Sequence, residues 1–392
     1  MREDASGVPQ LQMQLPAPRA GRVMARAPRL AVGPDPMARA LELAGRADFA
    51  TSPNPMVGAV IVTDGEVVGE GFHHRPGEPH AEVLALNQAG ERARGAELWV
   101  TLEPCCTNGR TGPCTERVIE AGVARVHVAG IDPNPTVDGR GLAELRSAGI
   151  EVLIGEHREE AERLIEYYSV WVRTGLPFVT LKLAISLDGK VATVQGESQW
   201  ITGAEARADA HRLRHTHDAI LVGIGTVLAD DPALSARAGF EDGRQPVRVV
   251  VDSRLRMPPS ARLVQSGGAP VLIATLVGGD PARRRVLQAT GAELVEFPAA
   301  GPAVPLRALL AELARRGLIS LLVEGGPTLL GAMRAEGLGN RVVAYAAPIV
   351  LGGTGAPSAI GGAGAGRLAD AWRFHWTEAV MVGRDLRLTA EV

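Results

Sequence analysis

Two α/β domains in tandem are what this sequence predicts, on three observations. From about residue 35 onward, apolar runs of strand length alternate with amphipathic stretches of helix length. A charged helix over 157–176 ends on Thr174-Gly175-Leu176-Pro177, a stop signal that splits the alternation in two. The 392 residues suit two domains at about 150 residues each. The expected organisation is an extension over 1–33, a first domain over 34–176 and a second over 177–392.

The extension mixes Pro, Gly, Arg and Gln without hydrophobic periodicity and lacks the ~7–15-residue apolar core of a signal peptide. It reads as disordered, with Met37 an alternative start. Residues 36–47 then place Met37, Leu41 and Ala44 on one helical face. Val57–Thr63 and Glu66–His73 flank Asp64-Gly65, a dipeptide suited to the tight primed turn of a hairpin. A helix over about His80–Glu91 follows, then a strand over Glu97–Leu102 and a helix over Pro113–Ala121. A strand over Arg125–Gly130, a helix over Gly141–Ala148 and a strand over Glu151–Ile154 complete the set. This order predicts a mixed sheet covered by helices.

In the second domain, Phe178–Ala184, Ala219–Gly223, Val247–Val251, Val271–Ala274, Leu294–Phe297 and Ile319–Val323 are short apolar runs of the buried-strand type. Thr202, with Glu205 three residues on, predicts a capping box at the start of an intervening helix. Val342–Val350 and Ala379–Leu388 read as late strands at an antiparallel edge.

Composition narrows the function. With 46% hydrophobic and 22% charged residues the chain is ordinary globular material. A net charge of −3, from 41 basic and 44 acidic residues, gives no pull toward nucleic acid or an anionic membrane. No apolar run nears the ~18 residues of a membrane span. The three cysteines, Cys105, Cys106 and Cys114, crowd into one stretch, which favours a metal site or a reactive thiol in a reducing compartment over a disulfide scaffold. Lys182 and Lys190 are the only lysines, by chance or because chemistry keeps them.

His80-Ala81-Glu82 opens one predicted helix, Glu103-Pro104-Cys105 follows a strand, and Cys114 opens the next helix. One imidazole and two thiolates form the borderline-soft set that zinc prefers, and three protein ligands leave a fourth position for water. Helix N-termini favour the thiolate form. Glu82, two residues from a ligand, is placed to take a proton from that water and return it to substrate. This is the logic of zinc nucleobase deaminases, H-x-E followed by P-C-x-x-C. The second cysteine departs from it, lying nine positions after Cys105. Cys106 is a rival ligand, but adjacent residues rarely reach one tetrahedral ion. His73 and His74 read as solvent-facing hairpin residues. Asn54, flanked by Pro53 and Pro55, suits reading a base edge, and equally suits a turn.

In the second half, Ile319–Val323 runs into Glu324-Gly325-Gly326 and a helix starting at Pro327. Strand, glycines and helix N-terminus make an anion site, or simply a tight β–α turn. Gly223-Ile224-Gly225 lacks the third glycine of a dinucleotide fingerprint.

Several motifs together resemble the bifunctional riboflavin-biosynthesis deaminase/reductase family. They are His80-Ala81-Glu82, and Thr101-Leu102-Glu103-Pro104-Cys105 to Cys114 with Gly109-Arg110-Thr111 inside; and Asp132-Pro133-Asn134-Pro135. Further on come Leu181-Lys182-Leu183-Ala184 with Leu187-Asp188-Gly189-Lys190, Gly196-Glu197-Ser198-Gln199-Trp200-Ile201-Thr202, Ala229-Asp230-Asp231-Pro232-Ala233-Leu234 and Val323-Glu324-Gly325-Gly326-Pro327-Thr328. The resemblance covers about residue 35 to the end. Cys106-Thr107-Asn108 departs from it, where the family often has Ser and His.

The resemblance implies a cytidine-deaminase-like zinc domain followed by a dihydrofolate-reductase-like domain. The first would hydrolytically deaminate 2,5-diamino-6-ribosylamino-4(3H)-pyrimidinone 5′-phosphate, with one zinc per chain on His80, Cys105 and Cys114 and Glu82 as catalytic residue. The second would reduce the ribosyl chain to ribityl with NADPH. By matched position Ala184, Trp200, Thr226, Asp230, Ser253, Gly326, Pro327, Thr328, Leu329, Leu330, Gly331 and Ala332 would contact NADPH. Ser198, Arg214, Leu234, Arg237 and Glu324 would hold substrate, the two arginines suiting a sugar phosphate. Lys182 lies on the strand entering this pocket, and Asp188-Gly189 reads as a turn. Arg254, beside Ser253, is an added candidate for the 2′-phosphate. A cytoplasmic homo-oligomer is expected, acting on a small molecule, with no nucleic-acid or membrane partner. The rivals are a nucleoside or tRNA deaminase with an unrelated nucleotide-binding appendage, and a structural zinc module on a non-catalytic nucleotide binder.

Overall fold

The computed structural model describes residues 35–107, 112–237, 239–240 and 243–392. The expected extension and the Gly109-Arg110-Thr111 segment lie outside the described residues.

The first half runs α1 (Pro36–Gly45), β1 (Gly58–Thr63), β2 (Glu66–Phe72), α2 (Ala81–Ala89), β3 (Glu97–Leu102), α3 (Cys114–Ala121), β4 (Arg125–Gly130), α4 (Arg140–Ser147), β5 (Glu151–Ile154), α5 (Arg158–Leu164) and α6 (Glu166–Thr174). Its five strands lie in the order β2-β1-β3-β4-β5. β1 is antiparallel to both neighbours, and β3, β4 and β5 are parallel. Asp64 and Gly65 both have positive φ, as the primed hairpin turn requires. The two faces follow the strand period of two. Ala59, Ile61, Leu98 and Val100 pack toward α2 and α4, while Val60 and Trp99 pack under Met37 and Ala40 of α1. α2 lies directly on β2 because Gly69 and Gly71 carry no side chain. A Cβ there would sit 2.2 Å from the Ala85 carbonyl oxygen and 2.5 Å from that of Ala81. That seating places His80 and Glu82.

The second half runs β6 (Phe178–Ser186), α7 (Ala204–Thr216), β7 (Ala219–Gly223), α8 (Ile224–Asp230), β8 (Val247–Val251), α9 (Arg262–Gln265), β9 (Val271–Leu276), α10 (Pro281–Ala289), β10 (Glu293–Phe297), α11 (Leu306–Arg315), β11 (Ser320–Val323), α12 (Pro327–Ala335), β12 (Arg341–Ala347), β13 (His375–Val382) and β14 (Asp385–Glu391). The sheet order is β10-β9-β8-β7-β11-β6-β12-β14-β13. Strands from β10 to β12 are parallel, and β14 is antiparallel to β12 and β13. Leu181, Leu221, Leu321 and Val323 meet α11 and α12 on one face, and Ile220, Val222, Val250 and Leu322 form the other.

Four expectations are corrected. The helix over 157–176 is two helices, broken at Ile165. The break keeps Ile165 in the first core while Tyr167 turns to Phe178 of the second half. The Thr202–Glu205 capping box does not form. Gly203 is the N-cap of α7, and its N–H donates to the buried Asp385 carboxylate at 2.6 Å, so the cap comes from β14. The stretch 379–388 is strand at the antiparallel edge as expected, but it belongs to two strands, β13 and β14, joined by a tight turn in which Gly383 adopts a φ of 60° and Val382 pairs with Asp385. The strand expected over 342–350 ends at Ala347.

Candidate active sites

His80 is the N-cap residue of α2, Cys105 follows β3, and Cys114 is the first residue of α3. Their ligand atoms lie within 4.8 Å of one another. His80 Nδ1 is 3.3 Å from Cys114 Sγ and 3.5 Å from Cys105 Sγ. Bonds of about 2.0–2.1 Å to nitrogen and 2.3 Å to sulfur at tetrahedral angles place ligand atoms about 3.5–3.8 Å apart, so the spacing suits zinc. The electrostatics agree. Contacts from the Cys114 thiol, and then His80, hold Cys105 well below the usual thiol range at about 4, despite burial. Cys114 is pushed up by facing that thiolate and by its burial. A divalent cation among the three lets both sulfurs ionise. Cys106 is half-buried and outside this group.

Glu82 is buried in the first turn of α2, 3% exposed. Burial, reinforced by the Cys105 thiolate, raises its carboxyl to about 7. The loop carrying Cys105 is fixed by a residue whose role sequence reasoning missed. The buried Glu103 carboxylate accepts from the N–H groups of Asp132 (3.1 Å), Gly139 (2.9 Å) and Gly141 (2.9 Å). Asp132 accepts in turn from Asn134 N–H and from the Tyr168 hydroxyl, so Asp132-Pro133-Asn134-Pro135 is a supporting turn.

The expectation of a solvent-facing His73 is corrected. Its side chain is buried, its Nε2 receives the Asn54 amide at 3.0 Å, its Nδ1 faces the Pro79 carbonyl at 3.2 Å, and its ring meets His80 edge-on at 5.1 Å. Asn54 signalled itself through its flanking prolines; His73 gave no signal of burial. His74 is exposed.

In the second half, Arg214 of α7 and Glu324 at the end of β11 form a two-pronged pair, Nε to Oε1 at 2.7 Å and Nη2 to Oε2 at 2.9 Å. Lys182 Nζ stands 3.9 Å from the same carboxylate. Burial opposes the charge on Glu324, but Arg214 and Lys182 outweigh it and hold the group at about 2. Both residues were expected on substrate; within the protein they face each other. Thr226 and Gly326 also come together. A Cβ on Gly326 would meet nothing nearer than Thr226 Oγ1 at 3.9 Å, so the turn before α12 is open on that side. The Leu329 and Leu330 side chains are in the core, and the Leu330 N–H donates to the Gly326 carbonyl at 3.2 Å. Leu234 is also a core side chain, with its backbone at a φ of 54°. Gln199 reaches Asp230 at 3.4 Å, and Arg207 lies over the exposed Trp200 ring at 4.5 Å. Ala184, Ser198 and Ser253 are half-buried, and Arg237 and Arg254 are exposed. Asp188 makes the expected turn, accepting from Ser186 and from the Leu351 and Gly352 N–H groups.

Comparison with known proteins covers both halves. The family model for the cytidine and deoxycytidylate deaminase zinc-binding region matches residues 35–130, and that for the RibD C-terminal domain matches 177–386. The riboflavin biosynthesis protein RibD of Escherichia coli (strain K12) is 46% identical over 363 residues, spanning 90% of this chain and 97% of that protein. Its counterpart from Bacillus amyloliquefaciens is 44% identical over 354 residues, spanning 90% and 95%. The solved structure of Acinetobacter baumannii RibD is similar with a TM-score of 0.82 at 40% identity, covering 91% of this chain and 97% of that one. The Thermotoga maritima diaminohydroxyphosphoribosylaminopyrimidine deaminase/5-amino-6-(5-phosphoribosylamino)uracil reductase reaches 0.78 at 33% identity, with the same coverage. A zinc-site triad on one sheet and a second sheet within the RibD C-terminal match, with relatives aligned over about nine-tenths of the chain, leave one conclusion: this chain belongs to the RibD family of riboflavin-biosynthesis proteins.

Proposed function

We propose that residues 34–176 form the deaminase domain and 177–392 the reductase domain of a bifunctional riboflavin-biosynthesis enzyme. The first releases ammonia from 2,5-diamino-6-ribosylamino-4(3H)-pyrimidinone 5′-phosphate, and the second reduces the ribosyl chain to ribityl with NADPH. The observation that carries this reading is the convergence of His80, Cys105 and Cys114 beside a buried Glu82. His80, Cys105 and Cys114 would hold zinc, which would supply a water activated near neutral pH. Glu82, whose carboxyl is held above the usual range by burial, takes a proton and returns it to the leaving nitrogen. Asn54, fixed through His73, faces the ring edge. Among the described residues the metal group has three members, which suits catalysis and not a closed structural site. The rival of an unrelated appendage fails because residues 177–386 match the RibD C-terminal domain.

In the reductase half the open turn at Gly326 and the N–H groups of α12 suit the NADPH pyrophosphate. Lys182 and Glu324 face the ribosyl chain, and positioning carries much of the rate. The chain is proposed to act as a cytoplasmic homo-oligomer with no nucleic-acid partner. Free cysteines and near-balanced charge support this, as does the edge strand β13 with Trp376 and Met381 exposed. No described helix is long and apolar enough to cross a membrane. The deciding assay supplies the purified pyrimidine phosphate and scores ammonia release and NADPH oxidation separately.

Two predictions belong to this half. Gly326→Val is expected to fold normally, because its Cβ has room, and to raise the KM for NADPH by filling the open side of the turn. Unchanged NADPH kinetics would move the pyrophosphate elsewhere. Ser253 and Arg254, after β8, are proposed to select the 2′-phosphate, so equal use of NADH would remove them.

Arg237→Ala is expected to weaken binding of the pyrimidine phosphate by about 1.5–3 kcal/mol, the scale of a hydrogen bond to a charged group, and to leave NADPH binding unchanged. Arg214→Ala does the same and also lowers stability, since it strips the buried Glu324 of its two-pronged partner. Titration calorimetry with each ligand checks both, and loss of NADPH with retention of the pyrimidine refutes the assignment.

A further inference from the structure

We propose that the second half positions the substrate-facing loop of the deaminase site: Asp218 and Arg244 hold the Asp48–Asn54 turn that presents Asn54 beside the zinc ligands. The inference rests on the deaminase reading above.

The segment between α1 and β1 is a run of tight turns, with Ala50, Ser52 and Asn54 donating their N–H groups to Ala47, Phe49 and Thr51. Two of its residues, Asp48 (φ 43°) and Phe49 (φ 62°), hold a left-handed backbone without being glycine. That conformation costs free energy and persists where surroundings over-determine it. Within the first half the Phe49 N–H meets Met56 Sδ at 3.4 Å and its ring stacks on Tyr167, and further anchors come from the other half. Arg244 Nη1 donates to the Phe49 carbonyl at 3.0 Å, and the Ser52 hydroxyl donates to Asp218 Oδ1 at 2.7 Å. Arg244 also pairs with Asp218. His215 Nε2 lies 2.7 Å from Asp48 Oδ2, but the Asp48 side chain is 58% exposed, so solvent weakens that pair. The weight falls on Asp218 and Arg244, which are far better shielded.

Asp218 is itself tied to the second sheet. Its Oδ2 accepts from the N–H of Ile319 (2.9 Å), the N–H of Ser320 (2.8 Å) and the Ser320 hydroxyl (2.8 Å), all at the start of β11. The loop is therefore pinned at Phe49 and Ser52 to a fixed point of the second sheet. Two residues beyond Ser52, Asn54 reaches His73, which packs against His80. A slack pin moves Asn54, and leaves His80 and Cys114 at their helix starts and Cys105 on the loop held by Glu103.

Ser52 and Arg244 are positioning residues, and their variants separate positioning from simple adhesion. In the full chain, Ser52→Ala and Arg244→Met are expected to raise the deaminase KM about ten-fold, the worth of one well-made hydrogen bond to a charged group. Deaminase kcat, zinc content and the reductase KM values stay within about two-fold, as loss of uniform binding predicts. Hydrogen exchange of the Ser52 and Asn54 amides quickens in both variants. Ser52→Thr, which keeps the hydroxyl, restores the original KM. The proposal is overturned if Ser52→Ala leaves both the deaminase KM and the loop exchange unchanged. It is equally overturned if both activities and zinc content fall together in the two variants, as general destabilisation would cause. A parent chain that releases no ammonia refutes the deaminase reading instead, and loop exchange still decides whether the second half holds the loop.

Discussion

Glu82→Gln retains one zinc per chain and loses ammonia release by about 10²–10⁴-fold, the usual contribution of a general acid/base group. Glutamine preserves shape and neither takes nor returns a proton. Glu82 is not among the three clustered ligands, so metal content holds. Its burial argues for the upper part of the range, because the pocket that raises its carboxyl to about 7 offers few substitutes for a proton carrier. NADPH-dependent reduction of pre-deaminated substrate survives, since the residues proposed for it all lie in the second half of the chain, outside the five-stranded half that carries Glu82. Near-normal ammonia release by this variant removes Glu82 from the mechanism.

Cys105→Ser empties the metal site, and Cys106→Ser does not. Metal analysis should fall from one zinc per chain to near zero in the first case and stay at one in the second. The reason is geometric. Cys105 Sγ meets both His80 Nδ1 and the Cys114 backbone N–H, while its neighbour stands outside the group. A serine hydroxyl neither ionises near neutral pH nor binds zinc as thiolate does. Zinc lost from the Cys106 variant and kept by the Cys105 variant reverses the ligand assignment.

What the sequence made legible was whatever short spacing encodes. The Asp64-Gly65 turn, the alternating faces of β1 and β3, and the histidine and two cysteines at element ends all stand in the structure where local rules put them. The misreadings share one cause, a partner distant in the chain. Thr202 looked like a cap until Asp385, on another strand, took the Gly203 N–H. The pairing of Arg214 with Glu324 went unforeseen for the same reason, because no local pattern shows that they face each other across 110 positions; their proposed substrate roles stand beside it. His73 looked exposed because its hydrogen-bonding partner Asn54 precedes the whole hairpin. Glu103 lay in plain view inside a motif, but its three backbone donors come from the segment leading into α4 and its first turn.

The position of β6 has a consequence for how this protein is made. It is the first strand of its sheet to leave the ribosome, yet it lies between β11 and β12, which begin at Ser320 and Arg341. At about 5–20 residues per second, synthesis keeps that apolar strand waiting on the order of ten seconds for either neighbour. The five-stranded sheet, complete by Ile154, faces no such delay. A nascent chain thus carries a finished zinc-site scaffold attached to an unpaired, aggregation-prone strand, with the Phe49–Ser52 turn still free of its anchors. Slow translation or heat should therefore harm the second half first, and chaperone demand should concentrate on the interval between β6 and β12.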